Sequence, residues 1–250
     1  MKGPVTPTFQ PILGIRFYTG DLAGLLELCP GHFVVVPSAP TLAELPTNPA
    51  YREAVEKSDF AITDSGFMVL LWKLFTGQSL IRISGLKLLR GLIEREELNQ
   101  PGASFWIMPS TLEMETNLAW QNQRGIPVTV EDCYVAPVYP AGPLTDPELV
   151  RRIEARRPSF VIINIGGGVQ ERLGYHLRNQ LSYRPAIICV GAAIAFITGL
   201  QANIPPWADR LMLGWFFRCL YAPGKFIPRY WKALKLVPIL ARYRERSVTS

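Results

Sequence analysis

Acidic residues nearly vanish from the last part of this 250-residue chain: from Arg210 onward there are nine Lys and Arg and a single acid, Glu245. The preceding residues hold 17 bases and 19 acids, so the formal net charge of +6 resides entirely in the tail. A uniformly basic domain is excluded, and a near-neutral body with a separate cationic contact surface is expected. Cysteine and histidine are scarce as well. Cys29, Cys133, Cys189 and Cys219 form no CxxC pair, and His32 and His176 sit in no zinc spacing. No metal or other cofactor is expected. The thiols read as small core residues of a reduced, cytosolic protein, and the two histidines as structural or surface residues. The N-terminal MKGPVTPTFQPILG lacks the apolar core of a signal peptide. One uncharged stretch, between Arg184 and Asp209, is centred on PAIICVGAAIAFITGL. It falls short of the about 20 apolar residues of a spanning helix, and its β-branched start followed by Gly191 reads as a buried strand turning into a helix.

What is present is a globular composition, 48% hydrophobic and 18% charged, in a chain long enough to bury a sizeable core. Short β-rich runs alternate with helical segments. HFVVVPS, FAIT, SFWIM, IPVTV, FVIINI and AIICV read as strands. Between them lie helical patterns in TNPAYREAVEKSDF, FMVLLWKLFTG, SGLKLLRGLIEREEL, TLEMETNLAWQNQRG, TDPELVRRIEARRPS and VQERLGYHLRNQL. Asn48-Pro49 and Asp146-Pro147 are cap-then-proline helix starts. The pattern predicts an α/β fold: a Rossmann-like, mostly parallel sheet with helices on both faces. Residues 1–200 form the expected body and 201–250 a basic, aromatic helical appendage. In that appendage Lys225, Arg229 and Lys232 share one helical face, and Ile227, Tyr230, Trp231 and Leu234 share another, with Pro238 interrupting the pattern before the polar end.

Ligands of parallel α/β sheets bind where strands turn into helices, and two such turns stand out. At the first, Asp64 follows FAIT. From spacing alone it reads first as a cap for the next helix and second as a general base over the sheet edge. At the second, Gly166-Gly167-Gly168 joins FVIINI to VQERL, where backbone amides at a helix start favour an anion such as a diphosphate. The contiguous glycines match neither GxGxxG nor GxxxxGK[ST], so nicotinamide and Walker-type sites lose support. Gln170 and Glu171, in the first turn of that helix, are placed to hydrogen-bond a sugar or ribose, or simply to suit the helix start. For the appendage, packing on the body and contact with an anionic membrane are equally supported. Nucleic acid is disfavoured, because the aromatic residues keep company with Leu, Ile and Val.

The order of these motifs resembles the bacterial WecG/TagA/CpsF glycosyltransferase family from about Phe33 to Tyr230. Five blocks carry the resemblance: AVEKSDFAITDSGFMVLLWKLFTG, RISGLKLL, INIGGGVQE, CVGAAIAFITG and IPPWADRLMLGWFFRCLYAPGKFIPRY. Within them Arg82, Ser84, Gly85, Gly166, Gln170, Glu171, Gly191, Gly199, Arg218, Arg229 and Tyr230 match the family pattern. The resemblance implies a metal-independent, inverting transfer of an N-acetylmannosamine-type or related sugar. The donor is a UDP-sugar and the acceptor a saccharide linked to polyprenyl diphosphate. It puts the catalytic base at Asp64, overriding the capping assignment, and substrate contacts at Ser38, Ser84, Gly85, Gly166, Gly167, Gly168, Gln170, Glu171, Arg218 and Arg229. It also implies an appendage that closes over the site while lying on the inner face of the cell membrane. The oligomeric state stays open, a homo-oligomer included. Departures occur at Ser38, Gly168-Val169, Ala195, Asn203 and Gly214, several of which line the sugar-nucleotide pocket in the family. They motivate a different donor sugar, or a non-catalytic sugar-nucleotide or lipid-binding relative.

Overall fold

A computed structural model describes residues 7–201, 219–220 and 222–248. Eight strands form one sheet: β1 (Phe9–Ile12), β2 (Ile15–Tyr18), β3 (Phe33–Val35), β4 (Phe60–Ala61), β5 (Ser104–Met108), β6 (Cys133–Val135), β7 (Phe160–Ile163) and β8 (Ala186–Cys189). Their spatial order is β1-β2-β4-β3-β8-β7-β5-β6, and every neighbouring pair except β1–β2 is parallel. Strands β3, β4, β5, β7 and β8 are buried along their whole length. That is why they read as unbroken apolar runs rather than alternating ones.

Helices cover both faces: α1 (Leu22–Leu28), α2 (Ala39–Leu42), α3 (Pro49–Glu56), α4 (Gly66–Thr76), α5 (Gly85–Ile93), α6 (Thr111–Asn122), α7 (Pro147–Arg156), α8 (Val169–Gln180) and α9 (Ala193–Ile197). One core joins Tyr51, Trp72, Ile153 and Leu173 to the side chains of one sheet face; the other joins Leu25, Leu88, Leu92 and Ile194 to the opposite face. The expected caps are in place. Asn48 accepts from the Tyr51 amide at 3.1 Å and Asp146 from the Leu149 amide at 2.9 Å. The uncharged run 185–200 divides into buried β8 and the short helix α9, and no helix among the described residues is long and apolar enough to cross a membrane.

Two expectations change. IPVTV does not pair in the sheet. The Asp132 carboxylate takes the Thr129 amide (2.9 Å) and hydroxyl (2.8 Å), closing a tight turn over Val130–Asp132, and the ladder with β5 starts only at Cys133. Nor does Pro238 interrupt the tail. It lies in the first turn of a helix, where a missing amide proton removes no helical bond.

The tail forms α10 (Pro223–Ala233) and α11 (Leu236–Tyr243). Helix α10 packs beside α2, and α11 against α2 and α4. Leu236, Leu240 and Val248 are fully buried in the same core as Tyr51 and Trp72. Beyond α11 the chain pairs with the β1–β2 turn, the Leu13 amide donating to the Arg244 carbonyl at 2.6 Å and the Gly14 amide to Glu245 at 3.1 Å. The end of the chain is therefore part of the body's core. Leu240→Ala is expected to cost about 2–5 kcal/mol, because the cavity it leaves is lined on all sides. In a thermal melt this reads as a fall in Tm of roughly 5–15 °C.

Candidate active site at the carboxyl edge of the sheet

Asp64 leaves the end of β4, yet it does not cap the helix that follows. Ser65 does so, its Oγ accepting from the Met68 amide at 3.2 Å. The Asp64 carboxylate is thus freed for another use. Its Oδ1 accepts from the Gly85 amide at 3.0 Å, and its backbone carbonyl accepts from Arg82 Nε at 2.8 Å. Ser84 caps α5 through the Lys87 amide at 3.2 Å and is itself buried. A Cβ at Gly85 would stand 3.1 Å from Val36 Cγ1 and 3.4 Å from the Val190 carbonyl, so α5 starts directly above the ends of β3 and β8. The half-exposed Asp64 carboxylate is consequently held at the rim by the Gly85 backbone amide.

Ser38 ends the segment after β3 and starts α2. Its amide donates to Thr41 Oγ1 at 3.0 Å, and the Thr41 hydroxyl donates back to the Ser38 carbonyl at 2.8 Å. At the end of β7 the glycine turn lies beneath Thr41: a Cβ at Gly167 would come within 2.9 Å of Thr41 Cγ2. Gly168 holds φ +87, a conformation L side chains rarely adopt. Asp64, Ser38, Gly191 and Gly166–Gly168 therefore follow β4, β3, β8 and β7, four consecutive strands of the sheet. With strands about 4.8 Å apart, the edge between Asp64 and the glycine turn spans roughly 14 Å.

Gln170 and Glu171 are not turned toward an open pocket. They are 2% and 1% exposed. Gln170 Oε1 accepts from the Gly191 amide at 2.8 Å, its Nε2 donates to Glu171 Oε1 at 3.0 Å, and Glu171 Oε2 accepts from the Gly168 amide at 2.6 Å. The pair is a staple between the β7–α8 and β8–α9 turns. Burial pushes the Glu171 carboxyl up to about 7 against the pull of these donors. Arg172 continues the network, donating from Nε to the Gly168 carbonyl at 3.0 Å and from Nη1 to the carbonyls of Pro140 (2.9 Å) and Gly142.

The tail reaches this edge through α2. Lys232 Nζ on α10 pairs with Glu44 Oε1 at 2.6 Å, and Glu44 Oε2 faces Gly168, 3.9 Å from where a Cβ would stand. A groove of about 610 Å3 opens beside the Lys232–Glu44 pair, its walls carrying Glu44, Thr47, Asn48, Gly142, Lys232 and Lys235 and none of Asp64, Ser38 or the glycine turn. Arg229 is exposed on α10, one turn before Lys232. Arg218 lies outside the described residues. Thr41, Glu44 and Arg172 were not legible as site residues, because only the fold brings them to the glycine turn.

The carboxyl edge of the sheet thus carries a carboxylate and a glycine turn, and the Lys232–Glu44 pair ties the basic helix α10 to the segment after α2. The family model of the glycosyl transferase WecG/TagA/CpsF family matches residues 10–249. The chain belongs to this family. Comparison with curated protein sequences finds no match. Membership of this glycosyltransferase family implies a sugar donor and an acceptor as substrates.

Proposed function

We propose that the protein transfers a sugar from a UDP-sugar, UDP-N-acetylmannosamine-like or a related hexose, to a saccharide linked to polyprenyl diphosphate. The reaction serves synthesis of a cell-surface polysaccharide at the inner face of the cell membrane. Asp64, held on the same edge as the glycine turn, is the observation that carries this reading. Asp64 takes the proton of the acceptor hydroxyl, and the oxygen attacks the anomeric carbon from the side opposite UDP. The C–O bond to the diphosphate breaks with inversion, and both electrons leave with UDP. The charge gathering on UDP meets the amides of Gly166 and Gly167, in the glycine turn whose Gly168 amide is held by Glu171, and the cations Arg218 and Arg229, which makes a metal ion unnecessary. Ser38, Ser84 and Gly85 line the same rim. Gln170 and Glu171 serve the donor indirectly, through the two turns they join.

The test is transfer by the purified chain from a panel of UDP-sugars to a polyprenyl-diphosphate-linked acceptor, without added metal. One donor is expected to turn over. Measurable UDP binding with no turnover on any donor would instead favour the non-catalytic relative that Ser38, Val169 and Ala195 suggest.

The appendage, residues 201–250, is the proposed membrane-contact and closing element. Ile227, Trp231 and Leu234 stand 55%, 74% and 49% exposed on or just after α10, beside exposed Lys232 and Lys235. Apolar and cationic side chains together suit an anionic bilayer surface. Truncation at Gln201 is a poor test, because it would also remove Leu236, Leu240 and Val248 from the core. Trp231→Ala is the cleaner change. It is expected to weaken binding to phosphatidylglycerol-containing vesicles by roughly 5–20-fold, in cosedimentation that also falls as salt rises.

A further inference from the structure

Helix α4 is apolar nearly all round. Its inner side chains, Met68, Val69, Leu71 and Trp72, are buried in the core. A surface helix ordinarily turns polar residues outward. Here the outward stripe is instead Phe67, Leu70 and Leu74, spaced i, i+3, i+7; Leu70 is 52% exposed and Leu74 74%. Lys73 is the one charged residue on the helix. From Ser65 to Ile93 the sequence holds four cations, Lys73, Arg82, Lys87 and Arg90, and no acid. Inside a body otherwise rich in acids, this segment is a second basic and apolar stretch, separate from the tail.

The fold places the two stretches side by side. Helix α11 packs on α4, and α10 packs on α11. Helix α4 therefore adjoins α11, which carries Arg242 in solvent and follows α10, with its exposed Lys232, through a short link that holds exposed Lys235.

We propose that the Phe67–Leu70–Leu74 stripe of α4 is a second bilayer-contact surface, pressed against anionic lipid together with α10. Two features favour lipid over a second copy of the chain. A two-fold interface would set Lys73 and the neighbouring tail cations against themselves. Two exposed leucines and a half-buried phenylalanine also fall well short of the roughly 800 Å2 per partner that a stable dimer buries. An anionic leaflet supplies the missing negative charge and takes up apolar side chains without needing a matched shape.

This inference rests on the membrane-facing reading above and adds a geometric consequence. Helix α4 starts one residue after Ser65, next to Asp64, and its 11 residues span roughly 16 Å. Lipid contact along α4 would hold the Asp64 carboxylate close to the surface on which a lipid-linked acceptor presents its hydroxyl.

The experiment compares the full chain with L70Q/L74Q and, independently, W231A. Each is measured for cosedimentation with phosphatidylcholine–phosphatidylglycerol vesicles, for Tm, for mass by sedimentation, and for transfer to an acceptor either embedded in vesicles or carried on a short, water-soluble prenyl chain. L70Q/L74Q is expected to lower vesicle partition about 10-fold or more. Transfer to the embedded acceptor should fall in step, while Tm and transfer to the soluble acceptor stay unchanged. Partition unchanged in L70Q/L74Q but reduced in W231A would overturn the α4 surface and leave the appendage reading standing. A wild-type chain that ignores vesicles yet glycosylates the soluble acceptor would overturn both membrane surfaces and leave the transferase reading intact. A dimer that dissociates in L70Q/L74Q would assign the stripe to a second copy. A Tm loss with unchanged partition would assign it to cover by the chain itself.

Discussion

Asp64→Asn is expected to lower the rate of sugar transfer by about 10²–10⁴-fold, the range over which a positioned general base contributes. The fold should not notice. The amide oxygen of Asn can still accept from the Gly85 amide as Asp64 Oδ1 does at 3.0 Å, and the Arg82 contact uses the backbone carbonyl. UDP affinity is expected to change less than twofold or so, because the glycine turn lies three strands away. Ser65→Ala is the matched control. It removes the cap on the Met68 amide and so should cost about 1 kcal/mol of stability while transfer persists. Steady-state rates with a verified donor, alongside thermal melts, read both. Full activity in D64N would remove Asp64 from the role of base. A large fall in Tm would instead make it a structural joint between β4 and α5.

Much of this was open to reading from residue order. Buried parallel strands must be apolar on both faces, so FVVV, SFWIM, FVIINI and AIICV betrayed themselves, and helix starts were marked by Asn48, Asp146 and the glycine turn. The β1–β2 hairpin was not legible. Its two-residue turn, Leu13-Gly14, takes φ values of 54 and 79, and a leucine there gives none of the usual Asn-Gly or Asp-Gly signal. IPVTV has the propensity of a strand, but Asp132 has a stronger local use for the Thr129 amide. At the site, the position of Asp64 at a strand end could be read; its release from capping followed from the resemblance and not from spacing, because Asp64 and Ser65 are both good caps and the fold chooses between them. The inward turn of Gln170 was hidden for a related reason. Its acceptor bond comes from the Gly191 amide, 21 residues on and one strand over.

That staple makes the second large expectation. In Gln170→Leu the Gly191 amide and Glu171 Oε1 both lose a buried partner. Each unpaired buried group costs about 1–3 kcal/mol, so the variant should lose roughly 2–5 kcal/mol, a fall in Tm of about 5–15 °C. The two turns should also lose their fixed spacing, and calorimetry should show UDP binding weakened by about 10-fold or more, since amide cradles act only when preorganised. Glu171→Gln separates charge from shape. In the native protein burial holds the Glu171 carboxyl at about 7, against 4.5 as the ordinary value. Between those two pH values the unfolded chain has released the proton that the native state keeps, so raising pH favours unfolding across that window and no further above it. The difference between wild-type and E171Q stability, measured by denaturant melts from pH 4 to 9, should therefore shift against the wild type through this window and then level off. The variant also places an NH2 where one oxygen accepts, so it should be less stable than the wild type at pH 4 by about 1–3 kcal/mol, and the gap should narrow as pH rises. A gap that does not change with pH would mean that Glu171 titrates in the native protein near its ordinary value, with the donors at Gly168 and Gln170 offsetting its burial, and is ionised at neutral pH. The staple would then carry a negative charge at neutral pH under the turn proposed to hold a diphosphate, and UDP affinity should rise in E171Q.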